Sequence, residues 1–165
     1  MRKSWLIYGG TLILAIIIFV KNTMDRKAFK EKFYTEIAGL DLKGFPAWIL
    51  AGLASYESGD GSGNLAGLGR NNIFSLQAPR SWKGNKILQA STGNFFRAYP
   101  SYRAAVIDFL DLLIGWPTNY GKATQYARQG NAQAFAEALQ VAGYGDPGKM
   151  IYATELTSRI KAFQV

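Results

Sequence analysis

The sequence predicts a mainly α chain (class α+β) with one small β-lobe, preceded by an apolar N-terminal helix. Three observations lead there. Apolar residues recur at helical spacing in six stretches from Asp25 onward, the pattern shortens to alternating pieces between Asn71 and Tyr99, and an uncharged run fills most of the first twenty residues. A chain of 165 residues, 48% hydrophobic, can bury one core and is too short for two ordinary domains.

The first element is WLIYGGTLILAIIIFV, residues 5–20, with Arg2 and Lys3 before it and Lys21 behind. Its sixteen residues rise about 24 Å as a helix, slightly short of the roughly 30 Å hydrocarbon core of a bilayer; interfacial Trp5 and snorkelling lysines extend the reach. Phe19-Val20-Lys21-Asn22 lacks the small residues of a cleavage site, so residues 1–21 read as an uncleaved transmembrane signal anchor that meets the lipid bilayer through residues 5–20. Taken alone, the positive-inside count places the C-terminal part in the cytoplasm, because Lys21, Arg26, Lys27, Lys30 and Lys32 outnumber Arg2 and Lys3.

Residues 22–44 form a linker segment. Within it Asp25 to Leu40 is helical, and Phe29, Phe33 and Ile37 make an apolar stripe that docks on the domain of residues 45–165. In FPAWILAGLASYES, Pro46 suits a first helical turn and Gly59 with Gly61 its end, giving a helix over residues 46–58. At 100° per residue Glu57 shares an arc with Leu50, Leu53 and Ala54, opposite Ala51, Gly52 and Ser55. Burial among those side chains disfavours the charged carboxylate, and an acid kept protonated there can protonate a leaving group, as cleavage of a glycosidic bond requires. The glycine-rich loop that follows, residues 59–70, permits close backbone approach to a sugar and reads as a cleft floor. No GK[ST] follows it, so it is no phosphate cradle.

From Asn71 to Tyr99, turn signals at Ala78-Pro79-Arg80 and Ser91-Thr92-Gly93-Asn94 fit a small hairpin, with Trp82 and Tyr99 as candidate sugar platforms. Ser101 caps a helix reaching about Trp116, in which Ala104, Asp108 and Asp111 share one face. Helical stretches at residues 118–129 and 132–141 lead to AGYGDP. A closing helix over residues 148–163 packs through Ile151, Tyr152, Leu156, Ile160 and Phe163.

Six pieces in order, Glu57-Ser58-Gly59 with Gly61, Leu65-Ala66, Asn71-Asn72-Ile73-Phe74, Trp82-Lys83-Gly84, Phe96-Arg97-Ala98-Tyr99 and Ala142-Gly143-Tyr144-Gly145-Asp146-Pro147, resemble the bacterial N-acetylglucosaminidase domain of flagellar-rod muramidases and autolysins. The resemblance runs from about Phe45 to Phe163. It implies a lysozyme-like helical domain with a small β-lobe, and cleavage of the β-1,4 glycan backbone of peptidoglycan, by hydrolysis or, in a lytic transglycosylase of the same fold, by transfer. It further implies Glu57 as general acid, Tyr144 as the tyrosine orienting the acid or the N-acetyl group, a supporting role for Asp108, and Asn72, Phe74 and Tyr120 as cleft residues. A non-catalytic wall-binding or virion protein of the same fold is the alternative from another class.

Composition narrows the chemistry. With no cysteine or histidine, Cys-His and Ser-His-Asp nucleophile systems and histidine- or cysteine-ligated zinc are excluded, and neither a cofactor nor a metal is expected. The net charge of +8 and pI near 9.7 call for an anionic partner. No basic recognition helix or ribonucleoprotein-type aromatic motif appears, so peptidoglycan glycan strands with their acidic peptides, and not nucleic acid, are the expected partner. A wall substrate puts the domain on the periplasmic or wall side of a bacterial inner membrane, against the charge count, or in the membrane of a membrane-containing phage.

Two departures from the resembled family stand out. Asp60 occupies a position usually held by tryptophan or a similar residue. The stretch KILQASTGN, residues 86–94, has no acid where relatives commonly carry a second carboxylate. Asp60, Asp108, or the substrate's own N-acetyl oxygen or 6-hydroxyl is left to complete the reaction.

Overall fold

The structure, a computed structural model, describes residues 24–67, 69–145 and 151–164. The anticipated anchor at residues 1–21 lies outside the described residues. Among those described, no helix is long and apolar enough to cross a membrane.

The described residues form six helices and one hairpin, in the order α1 (Arg26–Ile37), α2 (Ala47–Ser58), β1 (Lys86–Gln89), β2 (Asn94–Arg97), α3 (Tyr102–Gly115), α4 (Pro117–Arg128), α5 (Ala132–Val141) and α6 (Tyr152–Lys161). Local chemistry sets most boundaries. Asp25, Ser101 and Asn131 cap α1, α3 and α5 by accepting from the backbone N–H three residues on. Pro117 opens α4, and Gly59, at φ +57°, ends α2 in the left-handed conformation. The hairpin is antiparallel in the register Lys86↔Arg97 to Gln89↔Asn94, and Phe96 adds a bridge to Gln77.

Helix α2 runs through the centre. Every residue from Ile49 to Ser55 is buried, and Ala51, Gly52 and Ser55, on the side opposite Leu50 and Leu53, are covered as fully as those two. Gly52 explains why. A Cβ there would lie 2.4 Å from the Ile160 Cα of α6, so only glycine lets the two helices approach this closely. Helix α1 docks as its stripe predicts, with Phe29 among Phe33, Tyr102 and Phe163. In α6, Tyr152, Leu156, Ile160 and Phe163 are buried as expected, whereas Ile151 is 55% exposed and leaves the packing face.

The glycine-rich loop also departs from expectation. One of its glycines makes room for the core: a Cβ on Gly61 would sit 2.6 Å from the Tyr102 hydroxyl and 3.1 Å from Phe29, at φ +76°. Ser58 closes the loop by accepting from Gly61 N–H while donating to the Ala54 carbonyl. None of its described residues lines the cleft that holds Glu57, so it is packing and not cleft floor.

Candidate active site

Glu57 sits in the last turn of α2, half-buried at the wall of a cavity of about 730 Å³. Segment 74–79 and Ser81 form one side. Arg97 of β2, Leu112 and Trp116 from the end of α3, Tyr120 of α4 and Gly143 to Gly145 form the rest. The C-terminal end of α2 carries partial negative charge, a setting that opposes a second negative charge. Among the described residues lining this cavity Glu57 is the one carboxylate.

Three anchors hold the facing loop. Asn72, fully buried, donates to the carbonyls of Leu76 (2.9 Å) and Arg97 (2.8 Å) and accepts from Leu76 N–H. Ser75, in the left-handed region at φ +53°, donates to the Glu57 carbonyl at 3.2 Å. The Tyr144 hydroxyl donates to the Phe74 carbonyl at 2.5 Å. A non-glycine residue in that conformation is over-determined by its contacts, which suits a loop that must hold one shape beside the acid. Below it the Phe74 ring stacks on Phe109 at 4.2 Å, and Tyr144 packs edge-on against Phe109 and Tyr120.

The Tyr152 hydroxyl reaches the acid, donating to Glu57 Oε1 at 2.9 Å. Its ring is fixed between Tyr56, edge-on at 5.5 Å, and Gly145, where a Cβ would come within 2.6 Å of it. Burial first, and then the Glu57 charge, push the Tyr152 phenol far above its ordinary range, and the same causes in the same order act on Tyr144. Both therefore stay protonated donors throughout the physiological range.

The remaining anticipated residues divide. Glu57, Phe74, Tyr120 and Tyr144 share the cavity. Asp108 and Trp82 line an adjoining pocket. Asp108 Oδ2 accepts from Arg97 and, at 2.6 Å, from the Tyr99 hydroxyl, so its carboxylate is committed to holding the β-lobe onto α3. Burial and then Asp108 raise the Tyr99 phenol correspondingly. Tyr99 is 6% exposed, edge-on to Trp82, and lines neither cavity; Asn72 lines neither as well. Asp60 is bound to Ser55 and Arg159 (3.0 Å), with Arg26 nearby at 3.8 Å, and does not line the cleft.

Four lining or contacting residues were not singled out from sequence. Tyr152 stood in a regular packing stripe, Ser75 had no motif of its own, Arg97 was only one letter of a motif, and Trp116 read as a helix end. Trp116 is 58% exposed on the cleft wall, an exposure that only the folded chain reveals.

With that geometry in place, comparison with known proteins is informative. The sequence profile of the glucosaminidase family, described as mannosyl-glycoprotein endo-beta-N-acetylglucosaminidase, matches residues 37–165. The chain belongs to the glucosaminidase family. The peptidoglycan hydrolase FlgJ of Salmonella typhimurium is 34% identical over 133 residues, covering 72% of this chain and 40% of that protein. FlgJ of Escherichia coli K12 is 32% identical over the same shares. The chain thus spans well under half the length of these curated relatives. Among solved structures, a peptidoglycan hydrolase from Sphingomonas sp. A1 superposes with TM-score 0.66 at 27% identity, covering 83% of this chain and 90% of that one. The glycoside hydrolase domain of Salmonella typhimurium FlgJ gives TM-score 0.64 at 30% identity, covering 84% and 88%. The family shares with this chain a mainly helical, lysozyme-like fold carrying a small two-stranded sheet.

Proposed function

We propose that this glucosaminidase-family domain cleaves β-1,4 glycosidic bonds in the glycan backbone of peptidoglycan, with Glu57 as general acid. The observation that carries the reading is the placement of Glu57: a half-buried carboxylate at a helix end, on the wall of a long cleft, with Tyr152 fixing one oxygen. From that position Glu57 hands a proton to the glycosidic oxygen as the C1–O bond breaks. Tyr144 keeps the Phe74 to Ser75 turn in place opposite the acid and so acts by positioning.

The charge that develops at C1 needs a partner. A two-carboxylate hydrolase needs its second acid at about 5–10 Å from the first; the hydrogen bonds of Asp108 with Arg97 and Tyr99, and of Asp60 with Arg159, support a reading that does without either. Substrate assistance accords with this. The N-acetyl oxygen closes on C1, then water opens the ring and returns a proton to Glu57, giving a reducing end. The 6-hydroxyl reacting instead gives a 1,6-anhydro end and a lytic transglycosylase, the second reading favoured by the same observation. Digestion of purified sacculi with the full chain, followed by mass spectrometry of the fragments, tests both. Reducing N-acetylglucosamine ends support the hydrolase, 1,6-anhydro ends support the transglycosylase, and intact sacculi refute either.

We also propose that residues 5–20 anchor the chain in a lipid bilayer with the domain facing the wall, the periplasmic side of a bacterial inner membrane. The uncharged run and the lack of a cleavage site support this. Protease added to spheroplasts should digest the domain; full protection would refute the orientation.

A further inference from the structure

A second pocket of about 500 Å³ adjoins the Glu57 cavity, and Pro79, Ser81, Arg97, Leu112 and Trp116 face both. The two are therefore consecutive chambers of one cleft, and their chemistry differs. The first is lined by aromatic, aliphatic and neutral polar groups, with Glu57 and the edge of Arg97 as its charged members among the described residues. The second holds charges of both signs: Lys83 on the β-lobe side and Asp111 on α3 line it together with the Arg97–Asp108 pair, and the Lys43 ammonium acts on Asp111 electrostatically. Lys83 and Asp111 are exposed and form no ion pair among the described residues.

The second chamber is poorly built for a sugar ring. One face of the Trp82 indole, its natural platform, carries the Arg97 guanidinium at 4.5 Å, and the indole N–H is spent on the Asn85 carbonyl at 3.1 Å. N-acetylated sugars carry no charge, and a pocket offering an exposed ammonium and an exposed carboxylate leaves both unused against them. The charges of peptidoglycan lie on its stem peptide, which bears carboxylates and, at its diamino acid, an amine. Lys83 can meet the former and Asp111 the latter.

Resting on the peptidoglycan reading above, we infer that this second chamber binds the stem peptide of the strand being cut, so that the enzyme acts preferentially on peptide-bearing glycan. The glycan then runs past Glu57 while the peptide leaves it over Trp116, between Lys83 and Asp111. Specificity is a difference of affinities, and here the contacts that supply it sit beside the acid and not on it.

The test compares kcat/KM of the full chain in detergent on two substrates: glycan strands with intact stems, and the same strands stripped by an amidase. The expected parent preference for stemmed strands is about tenfold, the worth of two modest solvent-exposed charge contacts. In the double variant Lys83→Gln, Asp111→Asn that ratio should collapse to near one, and in the parent it should shrink as salt is raised. Both positions are exposed, so loss of folding is not expected, and an unaltered melting temperature checks it. Equal parent rates on the two substrates would overturn the inference while leaving the glycosidase reading standing. A preference that survives in the double variant would overturn the assignment to this chamber. Cleavage of neither substrate would overturn the peptidoglycan reading and this inference with it.

Discussion

At the scale of single residues, Tyr152 does two jobs that the sequence shows as one. Its ring is 3% exposed and belongs to the core, while its hydroxyl extends to Glu57 Oε1. Replacing it with phenylalanine keeps the ring and removes one charge-assisted hydrogen bond, worth about 1.5–3 kcal/mol. If that bond holds the acid in its working rotamer, Tyr152→Phe lowers kcat about tenfold or more with little change in KM or melting temperature. A large fall in melting temperature with kcat intact would mark the residue as packing alone. Asp108 behaves in the opposite way. Asp108→Asn removes the negative charge that Arg97 and Tyr99 share and leaves them a weaker neutral acceptor, at a site where the two ionic side chains are 12% and 23% exposed. The expected cost is about 1–3 kcal/mol of stability, seen as a melting temperature lowered by several degrees. Abolished turnover in a variant that melts like the parent would instead show that Asp108 takes part in the chemistry.

At the scale of elements, α2 and α6 depend on each other through one missing methyl group. Gly52 lets the helix axes come together, and this approach brings Tyr152, at the start of α6, to Glu57, at the end of α2. Gly52→Ala gains helix propensity but forces a Cβ onto the Ile160 backbone, which cannot swing aside as a side chain could. A net loss of about 1–3 kcal/mol is predicted, measurable by thermal or urea denaturation; a stabilised variant would contradict the close-packing account. The elements were legible where local chemistry decides them. The Phe29, Phe33, Ile37 stripe, the Ser101 cap and the turn before Asn94 all lie where spacing and capping put them. The glycine-rich loop was misread because glycine serves close packing against Tyr102 and close approach to a ligand by the same property, and sequence cannot tell which neighbour arrives.

At the scale of the molecule, the cleft is where distant segments converge: the end of α2, the loop fixed by Asn72, the end of α3, Tyr120, the 143–145 turn and Tyr152. Sequence reasoning named Glu57, Phe74 and Tyr144 through motifs and Tyr120 outside them, and all four line the cavity. It assigned Asn72 and Tyr99 to the cleft because motif membership does not separate residues that face a cavity from those that hold its wall from behind. Trp116 and Tyr152 escaped it because their roles arise from packing between elements far apart in the chain. The account places the burden of catalysis on the Glu57 proton. Glu57→Gln is nearly isosteric and can still accept from Tyr152 while having no proton to give. Measured on purified sacculi beside the parent, it should melt like the parent and release fragments at least about 10²–10⁴-fold more slowly. A folded Glu57→Gln protein that solubilises sacculi near the parent rate would contradict the account at its centre.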